Sequence, residues 1–230
     1  MILDKEHFIG QGANWEIYRI NEQSNTVIIR VPKLNFGNKI NDYLDNYNIV
    51  KSTGLPALSR VERTYYDNIE VVLTEDLNNN QNRIYVSPNS VITDRQKQVN
   101  EIQRLQFDHI KDIGDSPDAE KYRLEHKLDQ ITDFDLFLDT AKNDIWKVSQ
   151  LDVFIAYDCY FFGSEMHAVH SAIDYKIVDF DDIETNTKRK TNKLYEINIT
   201  EFKQAAAHFI DCFVNDGQQK NAYLEAVQNL

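Results

Sequence analysis

The residues Ile173-Asp174-Tyr175-Lys176-Ile177-Val178-Asp179-Phe180-Asp181-Asp182-Ile183 run from a short apolar segment into a group of carboxylates. Lys176 to Val178 has the character of a strand, and three aspartates follow it within four positions. A strand that ends in clustered carboxylates can hold a divalent cation, because Mg²⁺ binds one or two carboxylates together with phosphate oxygens and water. The alternative is a solvated turn, since aspartates are also common where strands end. The residues upstream decide between the two.

The composition is that of a folded, acidic protein. The chain has 230 residues, 42% of them hydrophobic, which is enough for one large domain or two lobes that share a cleft. A net charge of -12 without a long basic run argues against nucleic acid or an anionic membrane surface as the main partner. The first residues lack an apolar signal region and no apolar stretch approaches the length of a membrane span. Cys159 and Cys212 have no metal-type spacing, so we expect reduced, buried thiols in a cytoplasmic protein.

The first part of the chain is predicted to be rich in strands with a single helix. The β-branched and aromatic runs favour strands, and apolar residues at helical spacing before Gly54 and Pro56 favour a helix. The predicted elements are strands near 8–9, 15–20 and 26–31, a helix at 39–53, and a hairpin at 58–66 and 70–74.

Three kinds of residue in this part are candidates for a phosphate site. Gly10 and Gly12 lie between two strands, where glycines either allow the backbone to approach a bulky anion or simply form a hairpin. Arg30 lies in an apolar strand, either as an edge charge facing solvent or as a cation that binds phosphate with two hydrogen bonds. Asp42 and Asp45 on the predicted helix either pair with Arg30 or remain solvated.

The second part of the chain is predicted to be mostly helical. Aromatic residues at helical spacing here are interpreted as core rather than as a ligand site. Thr200 is predicted to cap the helix that follows it, and 184–193 is predicted to be a loop. The predicted elements are a short alternating segment at 83–86, either a hairpin arm or an insert, and helices at 93–110, 118–128, 133–146, 201–214 and 218–228.

Asp158 interrupts an apolar run that extends from Leu151 to Phe162. A carboxylate in such a run is costly to bury unless it is paired or functional. Asp158 is therefore a candidate functional residue.

Several of these motifs resemble the protein-kinase-like superfamily. Gly10-Gln11-Gly12-Ala13-Asn14-Trp15-Glu16-Ile17-Tyr18 is similar to its glycine-rich loop, with Trp15 where the third glycine is expected. Val27-Ile28-Ile29-Arg30 resembles the strand that ends in the phosphate-binding lysine, with Arg30 in that place. Leu73-Thr74-Glu75-Asp76-Leu77 resembles the hinge. The segments 29–32 and 53–58 are closer to the aminoglycoside phosphotransferase and choline kinase branch.

The resemblance implies an α+β, two-lobed kinase-like fold that forms one kinase-like domain. Residues 1–77 would form an N-lobe with an antiparallel sheet and one helix, and residues 78–230 a reduced, mostly helical C-lobe. The backbone of Glu75, Asp76 and Leu77 would bind the adenine of ATP, while Gly10 and Gly12 would cover its phosphates.

The resemblance also implies the catalytic residues. Asp158 resembles the catalytic aspartate, and Asp179 with Phe180 resembles the metal motif, 21 residues further on. Asp179, with Asp181 at the next acidic position, would bind Mg²⁺. By spacing, Asp42 is the best match for the glutamate that pairs with the phosphate-binding residue, and Asp45 is the next.

Two departures from the family pattern leave the function open. Gly163 stands where the family has an asparagine that binds a second metal, and Ala156-Tyr157 replaces the usual residues before the catalytic aspartate. The first hypothesis is an ATP-dependent phosphotransferase that acts on a hydroxyl of an unidentified small molecule or protein. The alternatives are a pseudokinase that serves as a nucleotide-binding or protein-interaction module, and a minimal protein kinase.

Overall fold

The structure is a computed structural model that describes most of the chain outside one long segment. The predicted helix at 93–110, most of the predicted helix at 118–128, and Gly12 lie outside the described residues. The described residues are 3, 7–11, 14–22, 25–33, 39–66, 68–79, 82–87 and 127–230.

An antiparallel sheet of five strands, with one helix, forms the amino-terminal part as predicted. Its strands follow the order β1-β2-β3-β5-β4, which places β3 at the centre. The turn between β4 and β5 contains Asn68 at φ 67°, a left-handed conformation that asparagine tolerates. The elements are β1 (Phe8–Gln11), β2 (Trp15–Glu22), β3 (Asn25–Pro32), α1 (Lys39–Ser52), β4 (Val61–Tyr66) and β5 (Ile69–Glu75).

The carboxyl-terminal part combines helices with several short strands. A 3₁₀ turn at Leu77–Asn79 follows β5, and a second one at Tyr157–Cys159 follows β8. The elements are β6 (Arg83–Val86), β7 (Gln130–Thr132), α2 (Phe134–Gln150), β8 (Val153–Ile155), β9 (Tyr160–Glu165), β10 (His170–Ala172), β11 (Asp174–Ile177), β12 (Ile183–Thr185), α3 (Thr191–Phe213) and α4 (Gly217–Gln228). The α+β class is therefore confirmed.

The strand pairs in this part bring distant segments together. β9 and β11 pair antiparallel between Asp158 and Asp179, while β10, which lies between them in the sequence, pairs with β7. β6, predicted to be a hairpin arm or an insert, joins β9 on its other side, so β11, β9 and β6 form one antiparallel sheet. β12 pairs with β8 inside the segment that we predicted to be a loop after Ile183.

The predicted start of the helix at 201–214 is wrong. α3 begins ten residues earlier, at Thr191 instead of Glu201. Thr200 lies inside the helix, where its Oγ1 donates a hydrogen bond to the carbonyl oxygen of Glu196 at 2.7 Å, and so it is not the cap. The apolar pattern expected of a helix is interrupted at Asn198, which is polar but fully buried on the packed face of α3. The prediction therefore began the helix too late.

Aromatic side chains form the centre of the carboxyl-terminal core, as the sequence predicted. Phe202 of α3 is fully buried and contacts four rings at centroid distances of 5.4 to 5.9 Å. Those rings belong to Phe137, Tyr160, Phe162 and Tyr175. None of the helices in the described ranges has the length and hydropathy that a membrane span requires.

Candidate functional site

Arg30 is buried in the central strand of the amino-terminal sheet. Only 7% of its surface is exposed, which contradicts the alternative of an edge charge in solvent. Its guanidinium carbon lies 5.2 Å from the ring centroid of Tyr43, and its Nη1 lies 3.8 Å from Oδ2 of Asp179. Among the described residues, its Nε has no hydrogen-bond partner. A buried guanidinium with an unsatisfied donor is costly for folding, so function is the better explanation for its presence.

The surroundings keep Arg30 charged. Burial, the strongest influence, lowers its pKa, but Tyr43 and the carboxylates of Asp179 and Asp181 together raise the pKa above its ordinary value. Arg30 is therefore a fixed cation beside two carboxylates.

The residues on α1 that contact Arg30 differ from the prediction. Asp42 and Asp45 both lie on the exposed face of α1. Tyr43 lies between them in the sequence, is fully buried, and places its ring next to the guanidinium. Within the described contacts, Arg30 therefore pairs with Asp179 and Tyr43, and the structure does not bring Asp42 to it. Helical periodicity alone identified Tyr43 as a core residue but gave no sign of this contact.

Helix α1 holds the acidic segment in place through its buried face. The hydroxyl of Tyr43 donates a hydrogen bond to the carbonyl oxygen of Val178 at 3.0 Å. The amide of Asn46 donates to the carbonyl oxygens of Phe180 and Ile183, at 2.7 and 3.2 Å. Phe180 is fully buried and packs edge-on against the rings of Tyr43 and Tyr47, each at 5.3 Å. These contacts fix the backbone of residues 178–183, and the sequence analysis missed Asn46.

Asp179 and Asp181 have different surroundings. The backbone N–H of Asp181 donates to Oδ1 of Asp179 at 3.2 Å, which orients the Asp179 carboxylate. Oδ2 of Asp181 accepts hydrogen bonds from the indole N–H of Trp15 and from the amide of Asn14. Burial raises the pKa of Asp181, as does Asp179, while the hydrogen bonds from Asn14 and Trp15 oppose that rise. Asp179 faces Arg30, whereas one oxygen of Asp181 is occupied by protein donors.

Backbone hydrogen bonds place Asp158 beside the acidic segment. The N–H of Val178 donates to the carbonyl oxygen of Cys159 at 3.0 Å, and the N–H of Ala156 donates to that of Asp182 at 3.3 Å. Asp158 lies between these two connections, in the 3₁₀ turn after β8. Its Oδ1 is buried without a hydrogen-bond partner in the described part of the chain.

Three carboxylates at this point influence one another. Burial, followed by Asp182 and Asp179, raises the pKa of Asp158 to about 6. Burial and Asp179 also raise the pKa of Asp182. Asp182 belongs to the acidic cluster at 179–182, but its position beside Asp158 follows only from the fold. A carboxyl group with a pKa near neutrality is suited to accept a proton.

A buried asparagine on α3 supports the turn that carries Asp158. Oδ1 of Asn198 accepts from the N–H of Ile155 at 3.0 Å. Its amide donates to the carbonyl oxygen of Val153 and to Oγ of Ser149, both at 2.9 Å. Strand β8 is thereby fixed to α2 and α3 just before Asp158.

The predicted hinge residues stabilise the end of β5. Asp76 has a side chain that is 5% exposed; its carboxylate forms an ion pair with Arg19, 2.8 Å from Nε, and accepts a hydrogen bond from Oγ1 of Thr26 at 2.9 Å. Glu75 accepts from the hydroxyl of Ser59 at 2.7 Å. Leu77 begins the following 3₁₀ turn and packs against the main core. Their side chains are structural, so only the backbone at 75–77 remains a candidate for contact with a base.

The glycine positions differ in what they allow. Gly10 lies in β1 opposite Ile17, at a register irregularity, and a Cβ there would meet no described atom within 4 Å. Gly163 lies in the middle of β9, where a Cβ would lie 2.4 Å from Cε1 of Tyr85 and 2.6 Å from Oδ1 of Asp174. An asparagine cannot fit at Gly163 in this packing, so this position offers no metal ligand. No group of three or more metal-binding side chains occurs among the described residues.

Comparison with known proteins gives structural neighbours only. No protein family profile and no curated protein matches the chain. In total, 64 chains of solved structures match. One is described as WaaP in complex with acyl carrier protein, with 9% identity, a TM-score of 0.43, and coverage of 96% of this chain and 80% of that one. Another is a Helicobacter pylori proinflammatory kinase, CtkA, with 19% identity and a TM-score of 0.41; the match covers 75% of this chain and 54% of that one. Because both TM-scores are below 0.5, the site is interpreted from its own geometry.

Proposed function

We propose that this chain is an ATP-dependent, kinase-like phosphotransferase that transfers the γ-phosphate to a hydroxyl group of a small molecule or protein. The observation that carries the proposal is the position of buried Arg30 beside the acidic segment. A buried guanidinium with an unsatisfied Nε faces Asp179, and Asp158, with its own unpartnered oxygen, lies on the turn bonded to the same segment. Phosphate oxygens are suitable acceptors for the guanidinium N–H groups.

The donor set fits Mg²⁺ bound together with phosphate. Asp179 is partly exposed, with 32% of its side chain accessible, and it presents a hard oxygen ligand. Mg²⁺ needs only one or two carboxylates when phosphates and water complete its coordination, so the lack of a three-carboxylate cluster in the described ranges is compatible with this site. When bound, the metal would neutralise charge on the phosphates. Asp179 would hold it, and Asp182, whose pKa the Asp179 carboxylate raises, belongs to the same acidic group.

The remaining roles follow from position. Arg30 would bind phosphate oxygens from the floor of the site, and the loop of Gly10 and Gly12 would cover them. The backbone at 75–77 would bind adenine, and the lobes would be 1–77 and 78–230. Asp158 would orient the acceptor hydroxyl and take its proton, a role for which a pKa of about 6 is suitable.

The second candidate function is a pseudokinase that binds nucleotide without transferring phosphate. The observation in its favour is Gly163, where packing against Tyr85 excludes the second metal-binding asparagine of the family. Nucleotide binding is common to both candidates, and phosphate transfer separates them.

Thermal stabilisation by ATP with Mg²⁺ is the test of the site. Ligand at 100 times its dissociation constant stabilises the folded state by about 2.7 kcal/mol, which raises the melting temperature by roughly 5–10 °C in a chain of this size. We expect this metal-dependent shift in the wild type and in an Asp45→Ala control, whose altered residue is exposed. We expect its loss in Asp179→Ala. No shift with any nucleotide, or a full shift in Asp179→Ala, would end the proposal.

Phosphate transfer is tested separately with labelled ATP and panels of hydroxyl acceptors, including the protein itself. Transfer that is lost in Asp158→Asn supports the phosphotransferase. Binding without transfer to any acceptor supports the pseudokinase.

A further inference from the structure

Trp15 occupies an unusual position at the start of β2. It lies five positions after Gly10, yet only 2% of its surface is exposed. Its ring packs edge-on against Tyr43, with centroids 5.4 Å apart. Its indole N–H donates to Oδ2 of Asp181, which lies 166 positions further along the chain. The side chain thus connects the start of β2 to the acidic segment.

Asn14 and Trp15 are anchored to the strand that carries Arg30. The carbonyl oxygen of Asn14 accepts from the N–H of Lys33 at 2.9 Å, and Trp15 pairs with Pro32 in the β2–β3 register. Both side chains donate to the same oxygen of Asp181, Asn14 at 3.2 Å. The carboxylate of Asp181 is therefore fixed from the sheet, by two donors that lie next to each other in the sequence.

This connection continues from Asp181 to Asp179. The backbone N–H of Asp181 donates to Oδ1 of Asp179, and Oδ2 of Asp179 faces Arg30. A rotation of the Asp181 side chain and backbone would remove the donor that orients Asp179. The contacts form one chain from Trp15, through Asp181, to Asp179.

We propose that Trp15 is a positioning residue for Asp179: its indole N–H holds Asp181, whose backbone N–H in turn orients the Asp179 carboxylate towards the phosphate site. Asp181 is then the intermediate in this connection, and Asp179 alone of the two holds the metal. The effect on nucleotide binding rests on the proposed function, whereas the orientation of Asp179 does not.

Two pairs of variants distinguish the effect of the Trp15 hydrogen bond from the effect of its packing against Tyr43. Trp15→Phe keeps a ring against Tyr43 but removes the N–H donor. Asp181→Asn keeps an oxygen that accepts from Trp15, whereas Asp181→Leu does not. Trp146→Phe is the matched control, because Trp146 is the second tryptophan of the chain and lies away from the site, 39% exposed beside Tyr195.

Amide hydrogen exchange measured by NMR, without nucleotide, is the primary measurement. We expect the amide of residue 181 to exchange about tenfold faster in Trp15→Phe and Asp181→Leu, because loss of a hydrogen bond to a charged group releases the turn. Asp181→Asn and Trp146→Phe should stay within about twofold of the wild type. Amides of β9 and α3 should be unchanged in Trp15→Phe. Unchanged exchange at residue 181 in Trp15→Phe would overturn the proposal, and equally faster exchange at all sites would assign Trp15 a packing role only.

The dissociation constant for ATP with Mg²⁺ is the second measurement. We expect about a tenfold weaker value in Trp15→Phe, and a smaller loss in Asp181→Asn than in Asp179→Asn. A loss in Asp181→Asn as large as that in Asp179→Asn would make Asp181 a direct ligand and refute its role as intermediate. If the wild type binds no nucleotide, the proposed function fails, while the exchange measurement still decides whether Trp15 orients Asp179.

Discussion

Replacement of Asp158 by asparagine should stabilise the protein while it removes phosphate transfer. The carboxyl group of Asp158 is partly buried beside Asp182 and Asp179, and its pKa rises from 3.8 to about 6. Near neutral pH the folded protein therefore carries a carboxylate that its surroundings disfavour. Asparagine has nearly the same shape and no charge, so the variant avoids this repulsion.

The magnitude follows from the difference between the two pKa values. At about 1.36 kcal/mol per pH unit, the rise from 3.8 to about 6 corresponds to about 3 kcal/mol. Asp158 is in contact with solvent, which screens the repulsion, so we expect a gain of about 1–2 kcal/mol. In a chain of 230 residues this raises the melting temperature by roughly 2–8 °C.

The dependence on pH has a definite sign. Between pH 3.8 and 6 the folded wild type binds more protons at Asp158 than the unfolded chain does, so wild-type stability decreases as the pH rises through this window. Asp158→Asn lacks this loss. Its advantage should be absent below about pH 4, grow up to about pH 6, and remain constant above.

Urea unfolding of the wild type and Asp158→Asn at pH 4, 6 and 8 measures this difference. Asp45→Asn, which removes an exposed carboxylate on α1, is the matched control and should show no comparable gain. A variant that is no more stable than the wild type at pH 8 would refute the reasoning about Asp158. A gain of equal size at pH 4 would show that it does not arise from ionisation.

Three further substitutions test other parts of the structure. Gly163→Asn should destabilise the fold by at least about 3 kcal/mol in urea unfolding, because its Cβ would overlap the ring of Tyr85; wild-type stability would contradict the packing in β9. Asn198→Ala should cost about 3 kcal/mol, since it leaves buried groups of β8 and α2 without partners, and a loss below about 1 kcal/mol would show that water replaces the amide. Arg30→Met should abolish the melting shift with ATP and Mg²⁺ and lower the free energy of unfolding by up to about 3 kcal/mol, because it leaves the carboxylates of Asp179 and Asp181 without their cation. Retention of that shift would exclude Arg30 from the nucleotide site.

The sequence was informative where a local pattern determines structure. The strands of the amino-terminal sheet and helix α1 follow from alternation, helical spacing and turn residues. These features need no knowledge of distant parts of the chain.

Contacts between distant segments were not predictable in the same way. Spacing in the family pattern selected Asp42, but the rotation of α1 presents Tyr43 to Arg30. The acidic cluster was visible in the sequence, but the different roles of its aspartates were not. Asp179 faces Arg30 and Asp181 accepts from Trp15 because the start of β2 packs against this segment. Asn198 obscured the start of α3 because the backbone groups that justify its burial lie more than 40 positions away. Each failure concerns a partner that only the tertiary structure provides.

The packing at Gly163 also constrains the order in which substitutions can accumulate. The ring of Tyr85 occupies the space that any side chain at position 163 would need, and its hydroxyl donates to Asp174. A single change from glycine to asparagine therefore meets this ring. A change of Tyr85 alone leaves a cavity and removes a hydrogen bond from Asp174. A lineage that acquired an asparagine here would have to replace Tyr85 first, through a less stable intermediate, so this packing disfavours any side chain at position 163.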